Sequence, residues 1–182
     1  MMAYKVTFNK INIIIIAIIL LVSIAFGFQY LYKNDQSNGS AASTQPLFAA
    51  TFPNQNGKLQ NLKQYAGKII VLNFWATLCE PCREEMPELS ALHDTYKDKN
   101  VVVLGIAVDD AAAVGDFVKE TKVSYPLLIA EMQGMEIASH LGNDKSVLPY
   151  TVIINKNGAV AKTYFGRVTK PLLEQTLTQL LH

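Results

Sequence analysis

A nearly continuous apolar run, Ile69 to Trp75, is followed within seven residues by the only two cysteines of the chain, Cys79 and Cys82. An apolar run of this length without alternation is typical of a central strand that is covered on both faces. Glu80 and Pro81 separate the two cysteines, and a helical pattern follows them. This order predicts a strand, a turn, and a helix whose N-terminus carries the first cysteine.

The start of a helix is a reactive place for a cysteine. Its unpaired N–H groups and the positive end of its dipole stabilise a thiolate, and the thiolate is the form that attacks disulfides. A zinc site would need further ligands, but no second Cys-x-x-Cys follows and the three histidines are scattered. We therefore predict a redox pair, with an inert structural disulfide as the alternative, and we expect neither a metal nor a cofactor.

The N-terminal segment predicts a membrane anchor. Residues 11–32 are apolar apart from three uncharged polar residues, and only lysines, Lys5 and Lys10, carry charge before them. About 20 apolar residues span a bilayer as a helix, and the flanking lysines should stay in the cytoplasm. Residues 1–10 would then be cytoplasmic, and the rest would face the periplasm or cell exterior from a bacterial inner membrane. A cleaved signal peptide is the alternative, although the run exceeds the usual length of about 7–15 apolar residues.

The remaining chain divides into a tether and one domain. Residues 33–46 are small and polar without periodicity, as in a flexible linker, and residues 47–182 are long enough for one domain. The net charge is +1 with acids and bases interspersed, so no nucleic-acid partner is expected. A compartment outside the cytoplasm also lets a cysteine pair cycle between its two states.

The pattern of elements predicts an α/β domain. In chain order it predicts a hairpin at 56–57, a helical turn at 61–65, and strands at 69–75, 101–108, 127–129, 150–154 and 159–165. It predicts helices at 79–98, 111–122 and 133–141, and a last helix that carries Leu172 to Leu181. Pro87 is expected to kink the first long helix. A mixed central sheet flanked by helices follows, in the element order of the thioredoxin fold.

The domain resembles the TlpA/ResA family of membrane-tethered thioredoxin-like proteins. The resemblance rests on the turn at 79–82 after a strand, on Leu148-Pro149 before the last hairpin, and on the predicted anchor. Within that family the ResA-like branch carries the same Cys-Glu-Pro-Cys turn, and residues 73–77 add to the match. The resemblance implies that the N-terminal hairpin precedes a thioredoxin-like domain with a central insertion at 108–141.

The same resemblance assigns roles to individual residues. Cys79 would be the nucleophile, Cys82 the resolving thiol, and Pro149 a cis proline beside them. A cis bond there leaves the backbone of Leu148 free to pair with a substrate peptide as an extra strand. The residues expected to contact substrate are Pro149, Leu148, Trp75, Glu80 and Pro81.

Glu85 matches an acid found near the active site in the ResA-like branch. The alternative interpretation is a solvated helix carboxylate beside Glu84. Asn73 stands where thioredoxins proper place a buried aspartate, so Glu85 is the nearest candidate base for Cys82. Leu78 stands where many relatives carry tryptophan, which changes the surface on which a partner would dock.

The acids around the cysteines predict the direction of electron flow. Glu80, Glu84 and Glu85 place negative charge near Cys79, which opposes the helix dipole and disfavours the thiolate. We therefore expect a reductant whose potential lies toward that of thioredoxin. The family resemblance implies that its partners are a membrane thiol donor of electrons and protein disulfides, for example those of apocytochromes c or copper-site assembly proteins.

Two other functions use the same residues. A copper-binding assembly factor would combine both cysteines with His140, and a peroxiredoxin-like peroxidase would use Thr77 beside Cys79. Asp109 and Asp110 are predicted to cap the helix that follows them. Five aromatic residues at strand positions could line a docking face, although apolar aromatics at such positions are more often core: Phe48, Phe52, Phe74, Trp75 and Tyr150.

Overall fold

The structure, a computed structural model, describes residues 16, 18–27, 29 and 42–182. Residues 18–27 are helical, and their large apolar side chains are exposed. Within the described residues no helix has both the length and the apolar character needed to cross a membrane. The predictions for residues 1–10, and most of those for 11–32 and 33–46, lie outside the described part of the chain.

The predicted elements of the domain are present. In chain order they are α1 (Gln45–Ala49), β1 (Thr51–Pro53), β2 (Leu59–Asn61), a 3-10 turn (Leu62–Tyr65), β3 (Ile69–Trp75), α2 (Glu80–Tyr96), β4 (Val101–Ala107), α3 (Ala111–Glu120), β5 (Leu127–Ile129), α4 (Glu131–His140), β6 (Tyr150–Ile154), β7 (Val160–Phe165) and α5 (Lys170–Leu181). Only α1 is absent from the sequence prediction. The helix α2 runs through Pro87.

A mixed five-stranded sheet organises the domain, as predicted. Its strand order is β5-β4-β3-β6-β7. Strands β3, β4 and β5 run parallel, while β6 is antiparallel to both β3 and β7. The predicted insertion at 108–141 supplies α3, β5 and α4, and β5 extends the sheet as an edge strand.

The sheet separates two hydrophobic cores. Every residue of β3 and β4 is buried, which explains why these strands are apolar without alternation. Side chains of α2, α3 and α5 pack on one face of the sheet and form the first core, which contains Trp75 and Cys82. Side chains of α1 and α4 pack on the opposite face and form the second core.

The N-terminal hairpin forms around the predicted turn. Strands β1 and β2 are antiparallel, and Gly57 adopts a positive φ of 76° that glycine tolerates without strain. The side chain of Asn54 accepts hydrogen bonds from the backbone N–H groups of Asn56 and Lys58. Gln55 then pairs with Leu127, so the hairpin covers part of the sheet edge at β5.

The domain starts earlier than the predicted boundary at residue 47. The N–H of Ser43 donates to the carbonyl of His140 at 2.8 Å, and the hydroxyl of Thr44 donates to the carbonyl of Gly158 at 2.6 Å. These long-range hydrogen bonds fix residues that composition alone assigns to the tether. The small polar character that predicts a linker is also suited to capping and turn contacts.

Three loops meet at one end of the central strands β3, β4 and β6. Trp75 at the end of β3 pairs with Ala107 at the end of β4, because these strands are parallel. Phe74 pairs with Tyr150 at the start of the antiparallel strand β6. The loop after β3, the loop after β4 and the loop before β6 therefore lie at the same end of these strands. The cysteine pair belongs to the loop after β3.

Candidate active site

Cys79 and Cys82 form a disulfide at the start of α2. Their Cα atoms are 5.3 Å apart, and Cys79 is the N-cap residue of the helix. Cys82 has no exposed surface, whereas Cys79 is partly exposed. A partner can therefore reach the sulfur of Cys79 first, which agrees with the order of attack that the resemblance implies.

The start of α2 offers unpaired backbone N–H groups to the sulfur of Cys79. No side chain of the described residues caps this helix, so the N–H groups of its first turn remain available to a charged sulfur at the N-cap. The carbonyl of Cys79 accepts the first intrahelical bond from the N–H of Arg83 at 3.1 Å. Pro81 fits the first turn because it has no N–H to leave unpaired.

Glu85 lies one turn further along α2 and is completely buried. One carboxyl oxygen accepts a hydrogen bond from the Asn73 side-chain amide at 2.6 Å, and the other accepts from the backbone N–H of Val168 at 2.8 Å. The same Asn73 amide also donates to the hydroxyl of Thr151 at 3.0 Å. The alternative interpretation of Glu85 as a solvated helix carboxylate is therefore wrong.

Burial raises the pKa of Glu85 from 4.5 to about 7. Loss of water disfavours its charged form, and this effect outweighs the hydrogen bonds from Val168 and Asn73 and the charge of Arg167, which all lower the pKa. A carboxyl group with this pKa can both accept and release a proton at neutral pH. Cys82 and Glu85 are three residues apart on one helix and both are buried, so they share a face.

Comparisons with known proteins agree with this geometry. Residues 43–163 match the AhpC/TSA family. The chain belongs to that family. It is 33% identical over 168 residues to the thiol-disulfide oxidoreductase ResA of Bacillus thuringiensis subsp. konkukian, which covers 92% of this chain and 94% of that protein. It is 30% identical over 166 residues to ResA of Geobacillus kaustophilus, covering 91% and 92% of the two chains.

A solved structure shows the same fold. The chain superposes on a thiol:disulfide interchange protein of the thioredoxin family from Chlorobium tepidum with a TM-score of 0.65, covering 73% of this chain and 93% of that one at 22% identity. The predicted thioredoxin-like fold and the predicted family are thus confirmed. This member of the AhpC/TSA family is a thiol-disulfide oxidoreductase.

The Leu148–Pro149 peptide bond is cis, as the resemblance implied. Pro149 is buried and Leu148 is half-buried. Leu148 packs against the first core, as does Cys79, and it makes no backbone hydrogen bond to the described residues. Its N–H and carbonyl are therefore available to an incoming strand, and its role in substrate binding stays a prediction.

Of the residues near the cysteines that are predicted to contact substrate, two are exposed and one is buried. Glu80 and Pro81 are exposed, and Leu78 is 95% exposed. Trp75 has no exposed surface, because its ring packs on Phe117 with 5.0 Å between the ring centroids. The prediction that Trp75 contacts substrate is therefore corrected, and Trp75 is a core residue.

The two aspartates after β4 have different roles. Asp110 caps α3 as predicted, because its carboxylate accepts from the N–H of Ala113 at 2.9 Å. Asp109 does not cap this helix, and its carboxylate accepts from the backbone N–H of Thr77 in the cysteine loop. The spacing of the two residues could not distinguish these roles, since the Thr77 contact joins two distant parts of the chain.

The described residues add no support for the two alternative functions, copper binding and peroxidase activity. Within the described residues no group of three His, Cys, Asp or Glu side chains is placed to hold a metal ion, and the copper-binding alternative with His140 stays a prediction. The peroxidase alternative stays a prediction. Thr77 holds Asp109 through its backbone rather than through its side chain.

Sequence reasoning missed three residues around Glu85. Val168 and Arg167 come from the loop between β7 and α5, where the sequence shows only a glycine followed by a short polar stretch. Tyr125 precedes β5 and is 1% exposed. Its position directly before a proline and an apolar strand was a signal that this tyrosine enters the core.

Proposed function

We propose that this thiol-disulfide oxidoreductase is a membrane-tethered reductase of protein disulfides outside the cytoplasm. The observation that carries the proposal is the combination of a partly exposed Cys79 with a buried Cys82 and a buried Glu85. The exposed sulfur meets the substrate, and the buried carboxyl group provides a place for the proton of the second sulfur.

The proposed cycle starts from the reduced pair. The Cys79 thiolate attacks one sulfur of the substrate disulfide, and the other substrate sulfur leaves as a thiolate that takes a proton from solvent. Cys82 then gives its proton to Glu85 and attacks the sulfur of Cys79. The second substrate sulfur leaves and is protonated, so the substrate gains two electrons and two protons while the pair becomes a disulfide.

Charges around the disulfide support the reducing direction. Glu80 is exposed at the start of α2, where its charge competes with a thiolate at Cys79. Arg83 would stabilise the thiolate, but its guanidinium lies over the ring of Phe117 at 5.7 Å. A thiolate that is poorly stabilised makes the oxidised form relatively favourable, which is the property of a reductant.

The proposal includes a membrane anchor, a membrane electron donor and protein substrates. The exposed apolar side chains of the helical residues 18–27 and the lysines before them support an anchor with the domain outside the cytoplasm. A reductant in that location needs electrons from a membrane thiol donor. The relatives that the chain matches are thiol-disulfide oxidoreductases, and we propose oxidised cysteine pairs of apocytochromes c or of copper-site assembly proteins as its substrates.

Equilibration of the purified protein with a dithiol buffer of known potential tests the direction. We expect a potential closer to about −270 mV, as for thioredoxin, than to about −120 mV, as for the oxidant DsbA. A value near the oxidant end would refute the reductase proposal. Trapping partners on a Cys82→Ser variant, in which the mixed disulfide cannot be resolved, would then identify the substrate.

The role of Glu85 is tested by the pH dependence of disulfide reduction. In the parent we expect the rate to fall as the pH drops through about 7, because Glu85 then becomes protonated. Glu85→Gln should lower the rate and remove this limb of the profile. Glu84→Gln, which changes an exposed neighbour paired with Arg167, is the matched control and should keep the limb. An unchanged profile in Glu85→Gln would remove Glu85 from the mechanism.

A further inference from the structure

Tyr125 carries a buried hydroxyl group that the proposed cycle does not use. The side chain is 1% exposed, and its hydroxyl has no hydrogen-bond partner among the described residues. A buried polar group without a partner costs free energy, so its presence calls for a physical reason. Tyr125 belongs to the first core together with Cys82.

The geometry around Gly105 places Tyr125 beside the residues that hold Glu85. Gly105 pairs with Asn73 across β3 and β4. A Cβ atom built on Gly105 would lie 3.1 Å from Cε2 of Tyr125 and 3.2 Å from Nε1 of Trp75. Since Cε2 is bonded to the carbon that carries the hydroxyl, the polar end of Tyr125 lies next to the strand position of Asn73.

Two further polar atoms lie in the same region. Oδ1 of Asn73 and Nε1 of Trp75 are buried and have no partner within the described residues. Asn73 donates to Glu85 through its amide nitrogen, so the side chain that carries the unpartnered Oδ1 is hydrogen-bonded to the carboxyl group. The first core therefore contains a polar compartment, which we define as Asn73, Trp75, Glu85 and Tyr125.

Glu85 and Tyr125 interact electrostatically within this compartment. Burial and the charge of Glu85 both raise the pKa of Tyr125, so the hydroxyl keeps its hydrogen. The other charged side chain that acts on Glu85 is Arg167, from the loop between β7 and α5. Arg167 is half-exposed and paired with Glu84 at 3.0 Å, so solvent screens its effect.

We propose that Tyr125 is a positioning residue of the active site, whose buried hydroxyl turns its hydrogen toward Glu85 and so controls how readily Glu85 takes the proton of Cys82. A hydroxyl hydrogen rotates freely toward the most negative neighbour, and a dipole acts strongly where water is excluded. This inference rests on the proposed role of Glu85 as the base.

Tyr125→Phe tests the inference, because it removes only the hydroxyl oxygen. A hydroxyl dipole directed at the carboxylate favours the charged form, so its loss should raise the pKa of Glu85 further above 7. We expect an upward shift of about half a pH unit, or about threefold in proton affinity. The full-length protein with its disulfide intact, carrying ¹³C-labelled glutamate, reports this through the side-chain carboxyl signal that Glu85→Gln abolishes.

Tyr150→Phe is the matched control. Tyr150 is also completely buried, but it belongs to the second core and donates its hydroxyl hydrogen to the carbonyl of Leu141 at 2.8 Å. This variant should leave the Glu85 midpoint unchanged. An unchanged or lowered midpoint in Tyr125→Phe would overturn the inference.

Thermal unfolding gives a second readout that a purely structural tyrosine would not produce. At about pH 5, where Glu85 is neutral, Tyr125→Phe should be at least as stable as the parent, because an unpartnered hydroxyl is removed. At about pH 9 it should be less stable than the parent, because the charged carboxylate loses a favourable dipole. A difference in melting temperature that is the same at both pH values would count against the inference.

Failure of this inference is distinguishable from failure of the proposed function. If Glu85→Gln keeps the parent's pH profile of disulfide reduction, then Glu85 is not the base and the proposed function fails. If Glu85→Gln removes the acid limb while Tyr125→Phe leaves both the limb and the carboxyl midpoint in place, only the role of Tyr125 is overturned.

Discussion

Glu85 couples the stability of the protein to pH as well as taking part in its proposed chemistry. Its pKa is raised from 4.5 to about 7, so folding favours the protonated form. That contribution is complete below about pH 4.5, and it is lost as the pH rises through the folded pKa. The buried carboxyl group therefore makes the protein less stable in the pH range in which the group works as a base.

Glu85→Gln should remove this dependence, because the amide stays neutral at every pH. Relative to the parent, the free energy of unfolding of the variant should increase by about 3 kcal/mol between about pH 4.5 and pH 8. Urea unfolding of both oxidised proteins across that range measures the difference. Glu84→Gln, at a position half-exposed to solvent, should show no such trend. Parallel stability curves for Glu85→Gln and the parent would contradict the raised pKa.

At the residue scale the sequence identified Glu85 but not what surrounds it. Its spacing from Cys82 is local and visible, and Asn73 stands where thioredoxins proper place a buried aspartate. The N–H of Val168 and the ring of Tyr125 reach the same region from 83 and 40 residues away in the chain, respectively. Contacts of that separation leave no periodic signal, so only the folded structure shows the complete environment of the carboxyl group.

At the level of elements, the junction between β4 and α3 serves both the helix and the active-site loop. Asp110 caps α3, whereas Asp109 holds the N–H of Thr77 two residues before Cys79. Asp109→Ala should therefore loosen the cysteine loop and slow its reaction with a disulfide, by about tenfold if the sulfur is displaced from its attacking position. Asp109→Asn keeps an acceptor oxygen and should retain most of the rate.

Asp110→Ala separates loop positioning from helix stability. Loss of the cap should lower the free energy of unfolding by about 1 kcal/mol without slowing disulfide exchange. Stopped-flow exchange and urea unfolding of the three variants measure both effects. Equal exchange rates in Asp109→Ala and the parent would show that the contact with Thr77 has no influence on Cys79.

Local patterns determined most element boundaries. The predicted strands β3, β5 and β6 agree with the structure residue for residue, because short apolar runs between turn residues define their ends. The helix α1 was missed because five residues with a proline in the first turn carry no helical periodicity. The partner of β5 was not predicted either, since strand order depends on contacts between distant segments.

At the scale of the whole molecule, the strand order and directions bring the active-site segments together at one end of the central strands. The cysteine loop follows β3, Asp109 follows β4, and Pro149 precedes β6, so all three segments meet although up to 70 residues separate them. The backbone of Leu148 and the side chain of Leu78 are both accessible near this end of the strands. A protein substrate is therefore expected to contact more of this surface than a small disulfide does.

Leu78→Ser tests whether this end of the central strands recognises proteins. Leu78 is 95% exposed directly before Cys79, so its replacement should change the free energy of unfolding by less than about 0.5 kcal/mol. If a bound protein covers the side chain, reduction of a protein disulfide such as that of insulin should slow by about tenfold, because apolar burial is lost. Reduction of a small disulfide such as oxidised glutathione should keep the parent's rate.

Leu59→Ser, at a 68% exposed position on β2, is the control and should affect neither substrate. Equal slowing of both substrates in Leu78→Ser would instead indicate an effect on the reactivity of Cys79 itself.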